Sequence, residues 1–430
     1  MRRAPRDSIE ATLTIESIGV RGDGVAHRDG EAIYIPFGAP GDRVRVRLGV
    51  RRGEGRVGEL VELLSPGARV SPVCPHFGRC GGCALQHLDD GAYRRAKESQ
   101  IVTALMRQGV PLPPTMAPLL RLPPQTRRRA RFSIRANRAP AASVVGFNAR
   151  ASHEIVDMRS CAVLAPPLLA LVAPLRDAIA TVAPTGEVAA IATLSDSGID
   201  LLLELPAPPA LAGLEALARF AEAQDLGRLS WRIGAAETAT PLAIRRTPRV
   251  IFSGVPVEPP VEAFLQASIE AERVLVAEVL AGVGAAERVL DLYAGVGTFS
   301  FALAQKSAVH AVEGSPPAVA ALAAAARGAA LARISSEVRD LARRPLLPEE
   351  LARFAAVVFD PPRAGAAAQC AMLARSRAPR IVAVSCNPAS FARDAAILVA
   401  GGYRLVDIKP IDQFVWSPHV ELVARFVRPS

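Results

Sequence analysis

Three residues in the last quarter of the chain could share one reaction: Asp360, Cys386 and Glu421. Asp360 ends the apolar run Ala355-Ala-Val-Val-Phe-Asp360 and opens an Asp-Pro-Pro turn. Cys386 closes Ile381-Val-Ala-Val-Ser-Cys386 just ahead of Asn387-Pro388, and Glu421 stands in Val420-Glu-Leu-Val-Ala-Arg-Phe-Val427. An ionised thiol is a strong nucleophile and a neighbouring carboxylate can take a proton, so the set suits covalent catalysis with proton abstraction. The blander alternatives are a buried structural Cys386 and a Glu421 that is a surface strand residue. Cys370, inside an Ala-rich helical stretch, reads as core.

A second set lies earlier in the chain. Cys74, Cys80 and Cys83 fall in Cys-Pro-His-Phe-Gly-Arg-Cys-Gly-Gly-Cys, with Cys161 downstream. The Gly81-Gly82 pair lets the backbone fold tightly round an ion, so the four thiols could hold an iron-sulfur cluster. Zinc, with His76 or His87 among its ligands, competes equally on spacing alone. The opening Met1-Arg-Arg-Ala-Pro-Arg-Asp7 has no apolar core behind its charges, and no long uninterrupted apolar stretch follows, so neither a secretory signal nor a membrane span is expected. A cytoplasmic protein keeps its six cysteines reduced, which leaves metal or catalytic work for those with telling spacing.

The elements that must position these groups can be read in turn. Arg288-Val-Leu-Asp-Leu-Tyr-Ala-Gly-Val-Gly-Thr-Phe-Ser300 is a strand running into a Gly-rich turn and a helix. Glu313, about twenty residues past Asp291, ends the next apolar run, where an acid suits ribose hydroxyls. A nicotinamide dinucleotide wants a fuller glycine pattern than this one, which has Ser300 at the third position, and Asp291 would repel its phosphates. S-adenosylmethionine, cationic and free of phosphate, fits better. The strands ending at Asp360 and Cys386 bring both residues to the same sheet edge as that turn. An acid-Pro-Pro turn also serves enzymes that methylate amino groups, where an aromatic residue follows the prolines; Arg363 follows here, which argues for carbon methylation through a thiolate.

With 430 residues, two or three domains are expected. Residues 8–65 alternate in short runs between Gly-rich turns, as in a small OB-like β-barrel. Residues 66–254 form a mixed α+β middle holding the cysteines, and residues 255–430 alternate strand and helix as in a Rossmann-like α/β domain. Lys+Arg total 51 against 41 Asp+Glu, and Lys97, Lys306 and Lys409 are the only lysines. Two Arg-rich runs, Arg43-Val-Arg-Val-Arg-Leu48 and Arg127-Arg-Arg-Ala-Arg-Phe-Ser-Ile-Arg135, each put arginines on one strand face and apolar residues on the other. Like charges on one face want an anionic partner, and an RNA backbone is the expected one, against a solvated edge that discourages aggregation.

These residues together resemble the RNA uracil-5-methyltransferases of the RumA/TrmA type, over nearly the whole chain. The matching motifs are Cys74-x5-Cys80-x2-Cys83 with Cys161, Phe264-Leu-Gln266, Asp291-Leu-Tyr-Ala-Gly-Val-Gly-Thr-Phe299, Asp360-Pro-Pro-Arg-Ala-Gly365, Ser385-Cys-Asn-Pro388 and Pro418-His-Val-Glu421. The resemblance is closest to the branch acting on 23S ribosomal RNA. It implies a TRAM-type RNA-binding barrel, a central [4Fe-4S] domain and a class I S-adenosylmethionine-dependent methyltransferase domain, in a monomer. It assigns the cluster to Cys74, Cys80, Cys83 and Cys161. Cofactor contacts fall on Gln266, Tyr293, Thr298, Glu313, Asp340 and Asp360, the nucleophile is Cys386, and proton abstraction falls to Glu421. A segment from about 93 to 118 is expected to pack on the methyltransferase domain. Barrel and cluster favour ribosomal RNA over tRNA as substrate. The chain departs from the family pattern at Ala294, at Thr298 and in Phe414-Val-Trp416. Two readings remain beside this one. A non-catalytic RNA-binding iron-sulfur protein has no need of Cys386 and Glu421 together, and a radical S-adenosylmethionine enzyme wants a tighter cysteine triad.

Overall fold

The computed structural model describes residues 9–53, 55–183 and 185–429. Met1–Asp7, read as lacking a secretory signal, and Ser8, where the barrel is expected to begin, lie outside the described residues. No helix among the described residues is long and apolar enough to cross a membrane.

Near the N-terminus, six strands form one sheet in the order Glu10–Thr14, Arg43–Arg52, Gly55–Ser65, Glu31–Ile35, Gly24–Arg28, Ser17–Ile18. It packs around Leu13, Ile15, Ala26, Ile33, Ile35, Val44 and Val46. Alternation in Arg43–Arg52 buries Val44 and Val46 and turns Arg45 and Arg47 outward. The outer face departs from the expectation of bare positive charge. Arg45 pairs with Glu62, and Arg47 meets Glu59 at 3.1 Å and Glu10 at 3.3 Å, because register sets those acids on the flanking strands.

The middle of the chain builds a seven-stranded sheet in which Arg129–Ala136 lies between Val144–Asn148 and Gly186–Ser195. Its Ala130, Phe132 and Ile134 are buried with Leu175, Ile179, Leu217 and Phe220 of two covering helices, Val172–Val182 and Leu211–Ala223. The opposite face repeats the same correction. Arg131 pairs with Glu204 at 2.5 Å and Arg135 reaches Glu187 at 3.7 Å, so anionic partners come from within the chain.

A nine-stranded sheet follows. Its path runs Ile334–Val338, Ala308–Glu313, Arg288–Leu292, Ala356–Phe359, Arg380–Ser385, Glu421–Val427, Arg404–Asp412 and Thr115–Met116, with Leu120–Arg121 also pairing on Arg404–Asp412. Neighbours are parallel except that Glu421–Val427 runs antiparallel to both its partners. Ala356–Phe359 and Ile381–Val384 are buried throughout, which is why they read as unbroken apolar runs. Strand order reverses between Arg288–Leu292 and Ala356–Phe359, and that switch point opens a crevice at the carboxyl ends.

One packing relation spans a long stretch of sequence. Helix Asp90–Arg107 starts at an Asp89 cap whose carboxylate accepts from Ala92 N at 2.7 Å. Its Tyr93, Ile101 and Leu105 join the core of the nine-stranded sheet together with Leu292, Phe359 and Phe391. The Pro-rich connector after it adds the two short edge strands at Thr115–Met116 and Leu120–Arg121.

Candidate active site

The switch-point crevice holds the glycine turn. Tyr293, Gly295 and Gly297 all have positive φ, at 60°, 56° and 100°, so the chain leaves the strand in a tight left-handed course. A side chain added at Gly295 would meet nothing within 4 Å, so its backbone faces open space. Glu313 closes the turn from the next strand: its carboxylate accepts from Gly295 N at 3.0 Å and from Ser315 N at 2.8 Å. Thr298 sits half-buried in the turn. Asp340 is exposed, and its carboxylate accepts from Ala342 N at 3.0 Å. Asp291 is fully buried, accepts from Ser300 Oγ at 2.5 Å, and leaves Oδ1 without a partner. Burial, above all, pushes its carboxyl up to about 7. It therefore stands buried behind the turn.

Antiparallel register brings the other groups together. Ser385 pairs with Leu422, so Cys386 emerges beside Glu421 at the end of the sheet. Phe359 pairs with Ala383 in the adjacent parallel ladder, which places Asp360 at the same edge. The three groups feel one another. Burial, then the charges of Glu421 and Asp360, push the Cys386 thiol up to about 12, with Arg363 acting the other way. Glu421 is 2% exposed; burial and then Asp360 raise its carboxyl well above the ordinary range, while a hydrogen bond from Gln413 opposes them. Burial raises Asp360 to about 7. Three acids crowded at one edge hold each other's protons on, and a cation bound among them reverses that preference.

A chain of amides fixes the carboxylates. Gln266 Nε2 donates to Asp360 Oδ2 at 2.9 Å, and Gln413 Nε2 donates to Gln266 Oε1 at 3.0 Å and to Glu421 Oε2 at 2.5 Å. The Gln413 carbonyl accepts from Ala267 N at 3.0 Å, which sets which end of the amide faces Glu421. Glu421 Oε1 is buried without a partner. Gln413 has no role in the sequence reading, although it lies in the loop between the last two strands; nothing in a lone glutamine there signals a bridge. Phe264, two residues before Gln266, is 66% exposed, a large apolar ring left in water.

One cavity, of about 590 Å³, has Arg363, Cys386, Phe414 and His419 in its lining together with Cys74, Cys80, Cys83 and Cys161. The thiols are free. Gly82 N donates to Cys80 Sγ at 3.4 Å, a contact that favours a thiolate sulfur. Burial, above all, pushes Cys83 up to about 12 and raises Cys80 and Cys161, and in each case the charges of the other thiols add to it. Among the described residues, no three His, Cys, Asp or Glu side chains are already drawn into a metal-binding group, so the structure brings the thiols to one cavity without closing them on an ion. His76 lines the same cavity as the four thiols. His76 Nε2 takes up Arg159 N at 3.4 Å, and His87 Nε2 turns to Gly38 O at 3.2 Å.

An open, mostly parallel sheet with one reversed strand and a glycine turn at its switch point defines a class I S-adenosylmethionine-dependent methyltransferase fold. Over 97% of this chain and 100% of the other, it superposes on the tRNA (uracil-54, C5)-methyltransferase of Pyrococcus abyssi, crystallised with S-adenosyl-L-homocysteine, with TM-score 0.71 and 23% identity. Residues 261–425 match the family model described as tRNA (Uracil-5-)-methyltransferase. Over 96% of both chains it is 44% identical to a Brucella suis protein named as an uncharacterized RNA methyltransferase. It is also 37% identical, over 99% of this chain and 90% of the other, to the 23S rRNA (uracil(1939)-C(5))-methyltransferase RlmD of Chromohalobacter salexigens. The chain belongs to the RNA uracil-5-methyltransferase family.

Proposed function

We propose that this protein methylates C5 of a uracil in 23S ribosomal RNA, with Cys386 as the nucleophile and Glu421 as the base. The observation that carries the reading is the antiparallel register that sets Cys386 beside Glu421 at the edge holding the glycine turn. S-adenosylmethionine supplies an electrophilic methyl group. The cleft fits it: the Gly295 backbone faces open space and Glu313 holds the turn, and the further contacts are assigned to Asp360, Gln266, Tyr293, Thr298 and Asp340.

Uracil C5 is a poor nucleophile until a thiolate adds to C6. Cys386 forms the C6–S bond and the ring electrons move to C5, which takes up the methyl group. Glu421 then removes the C5 proton, and the returning electrons expel the Cys386 thiolate. The net proton released is the one from C5. The unpartnered Glu421 Oε1 receives it, because Gln413 holds Oε2. At rest the thiol is protonated, so Cys386 ionises only once positive charge enters among the carboxylates, with Arg363 already acting in that direction.

The base must leave its stack to reach Cys386, which costs least in a loop or at an unpaired position. Ribosomal RNA is favoured over tRNA because the whole-length likeness to a ribosomal enzyme, at 37% identity, exceeds the 23% to a tRNA enzyme. In this reading the N-terminal sheet is a TRAM-type RNA-binding barrel and the four thiols hold a [4Fe-4S] cluster, which ties segment 74–83 to Cys161. The cytoplasm is the setting that goes with it.

The test is incubation with labelled S-adenosylmethionine and unmodified 23S ribosomal RNA or tRNA, followed by mapping of the label. Label in 5-methyluridine of 23S RNA is expected; label only in tRNA, or on another atom, overturns the assignment. Glu421→Gln is expected to accumulate a covalent protein–RNA adduct, and normal turnover by that variant removes the assigned base. For the cluster, purified protein is expected to be brown with iron and acid-labile sulfide in equal amounts, and Cys161→Ser colourless; zinc in their place refutes it.

A further inference from the structure

The loop of residues 413–420 presents Gln413 and His419 and leads into Glu421, yet it is held mainly from outside the strands that flank it. Its internal main-chain bond runs from Ser417 N to Phe414 O at 2.9 Å. Trp416 takes φ 58°, a left-handed conformation that costs a bulky side chain. Its N donates to Tyr93 Oη at 2.8 Å, and its O accepts from Ala84 N at 2.9 Å and Leu85 N at 3.0 Å. Gln100 Nε2 donates to Pro418 O at 3.1 Å. These groups come from residues 84–100, more than three hundred positions earlier in the chain.

Lys97 sits at the centre of this clasp. It is 0% exposed, and an ammonium has three donors. One goes to Asp412 Oδ1, one to Phe414 O at 3.1 Å and one to His419 O at 2.8 Å. Asp412 is likewise 0% exposed, and its other oxygen accepts from Tyr93 Oη at 2.5 Å. Phe414 follows Gln413, and His419 stands two residues before Glu421, so one ammonium ties both limbs of the loop that frames the Gln413–Glu421 hydrogen bond. Burying such a pair gains little stability over an apolar pair of the same shape, so its geometry is what distinguishes it.

We propose that Lys97 is a positioning residue, which sets the Gln413–Glu421 pair against Cys386 by clamping the two limbs of the 413–420 loop. The inference rests on the assignment of Glu421 as the base, although its first readout does not.

Lys97→Met alone leaves the Asp412 carboxylate buried and unmatched, a cost to folding that is separate from any effect on the loop. Lys97→Met combined with Asp412→Asn removes both charges and keeps an acceptor for Tyr93. The full-length double variant is assayed for thermal unfolding, S-adenosylhomocysteine affinity, KM for 23S RNA and kcat. Expected are a folded protein, cofactor affinity and KM each within about threefold of the unsubstituted protein, and kcat lower by about a hundredfold, the loss that a small misplacement of reacting groups brings. A folded double variant with kcat within about twofold overturns the proposal. So does a fall in kcat that cofactor affinity and KM share equally, which is the signature of general loosening. Glu421→Gln run alongside separates the two claims: its normal turnover sinks the base assignment, while kcat of the double variant still decides whether Lys97 positions the loop.

Discussion

The two arginine-rich strands and the carboxyl edge of the nine-stranded sheet treat charge in opposite ways. On the strands, each run of like charge is answered across the ladder: Arg45 by Glu62, Arg47 by Glu59 and Glu10, Arg131 by Glu204, Arg135 by Glu187. At the edge, Asp360, Cys386 and Glu421 are acids crowded together, and Glu421 Oε1 and Asp291 Oδ1 are buried without partners. Matched surface charge adds solubility and a little stability. Crowded, buried, unmatched acids cost stability, and a fold retains them where chemistry uses their displaced proton affinities. The second region, and not the more conspicuous arginines, is where the proposed chemistry concentrates.

The sharpest way to break this contrast is at Cys386. Cys386→Ala is expected to lower kcat at least about a thousandfold, since among the described residues no other cysteine ends a strand beside Glu421 to replace covalent addition. Cofactor binding is expected to stay within about threefold by calorimetry, because the glycine turn and Glu313 are untouched. Substantial methylation by Cys386→Ala would mean that the crowded edge is structural after all, and the contrast would lose its meaning.

How much of this was legible in the chain depends on the range of the interactions. The strands ending at Asp360 and Cys386 could be read because each is a short apolar run that stops at a polar residue before a turn. The alternation that turns Arg131 and Arg135 outward was legible for the same local reason. The acids opposite them were not, because Glu204 and Glu187 meet those arginines only through strand register. Nor could sequence show that Lys97 meets Asp412, or that a Pro-rich connector lends edge strands to a distant sheet. The Gln413 bridge falls in the same class: an amide's role appears only when both of its neighbours are in place.

The crowding at the edge can be sharpened through pH. Glu421 must be ionised to take a proton, and in the free protein its carboxyl is raised by burial and by the Asp360 charge, so kcat/KM is expected to rise with pH along an acid limb well above the ordinary carboxylate range. Asp360→Asn keeps an acceptor for Gln266 and removes the like charge. The sign follows directly: less negative charge nearby makes ionisation of Glu421 easier, so the limb moves to lower pH, and the Cys386 thiol comes down from about 12 for the same reason. At neutral pH kcat is expected to fall about tenfold, because a cofactor contact goes with the charge. A limb that stays in place or moves upward would show that Asp360 does not act on Glu421 electrostatically.

The smallest effects test the matched side of the comparison. Arg135 is paired with Glu187, whereas Arg21 is exposed on the lining of the large cavity and has no carboxylate partner among the described residues. An RNA backbone gains little from an arginine already neutralised, since it must first displace the glutamate, and gains a full charge-assisted contact from one that is free. Arg21→Ala is therefore expected to weaken 23S RNA binding roughly tenfold and to reduce the salt dependence of log Kd by about one phosphate contact. Arg135→Ala is expected to change affinity less than about twofold with the slope intact. If the two variants behave alike in a filter-binding titration across salt, the internal pairing of the arginine strands does not decide where RNA binds. In that case the face of the seven-stranded sheet belongs to the substrate surface after all.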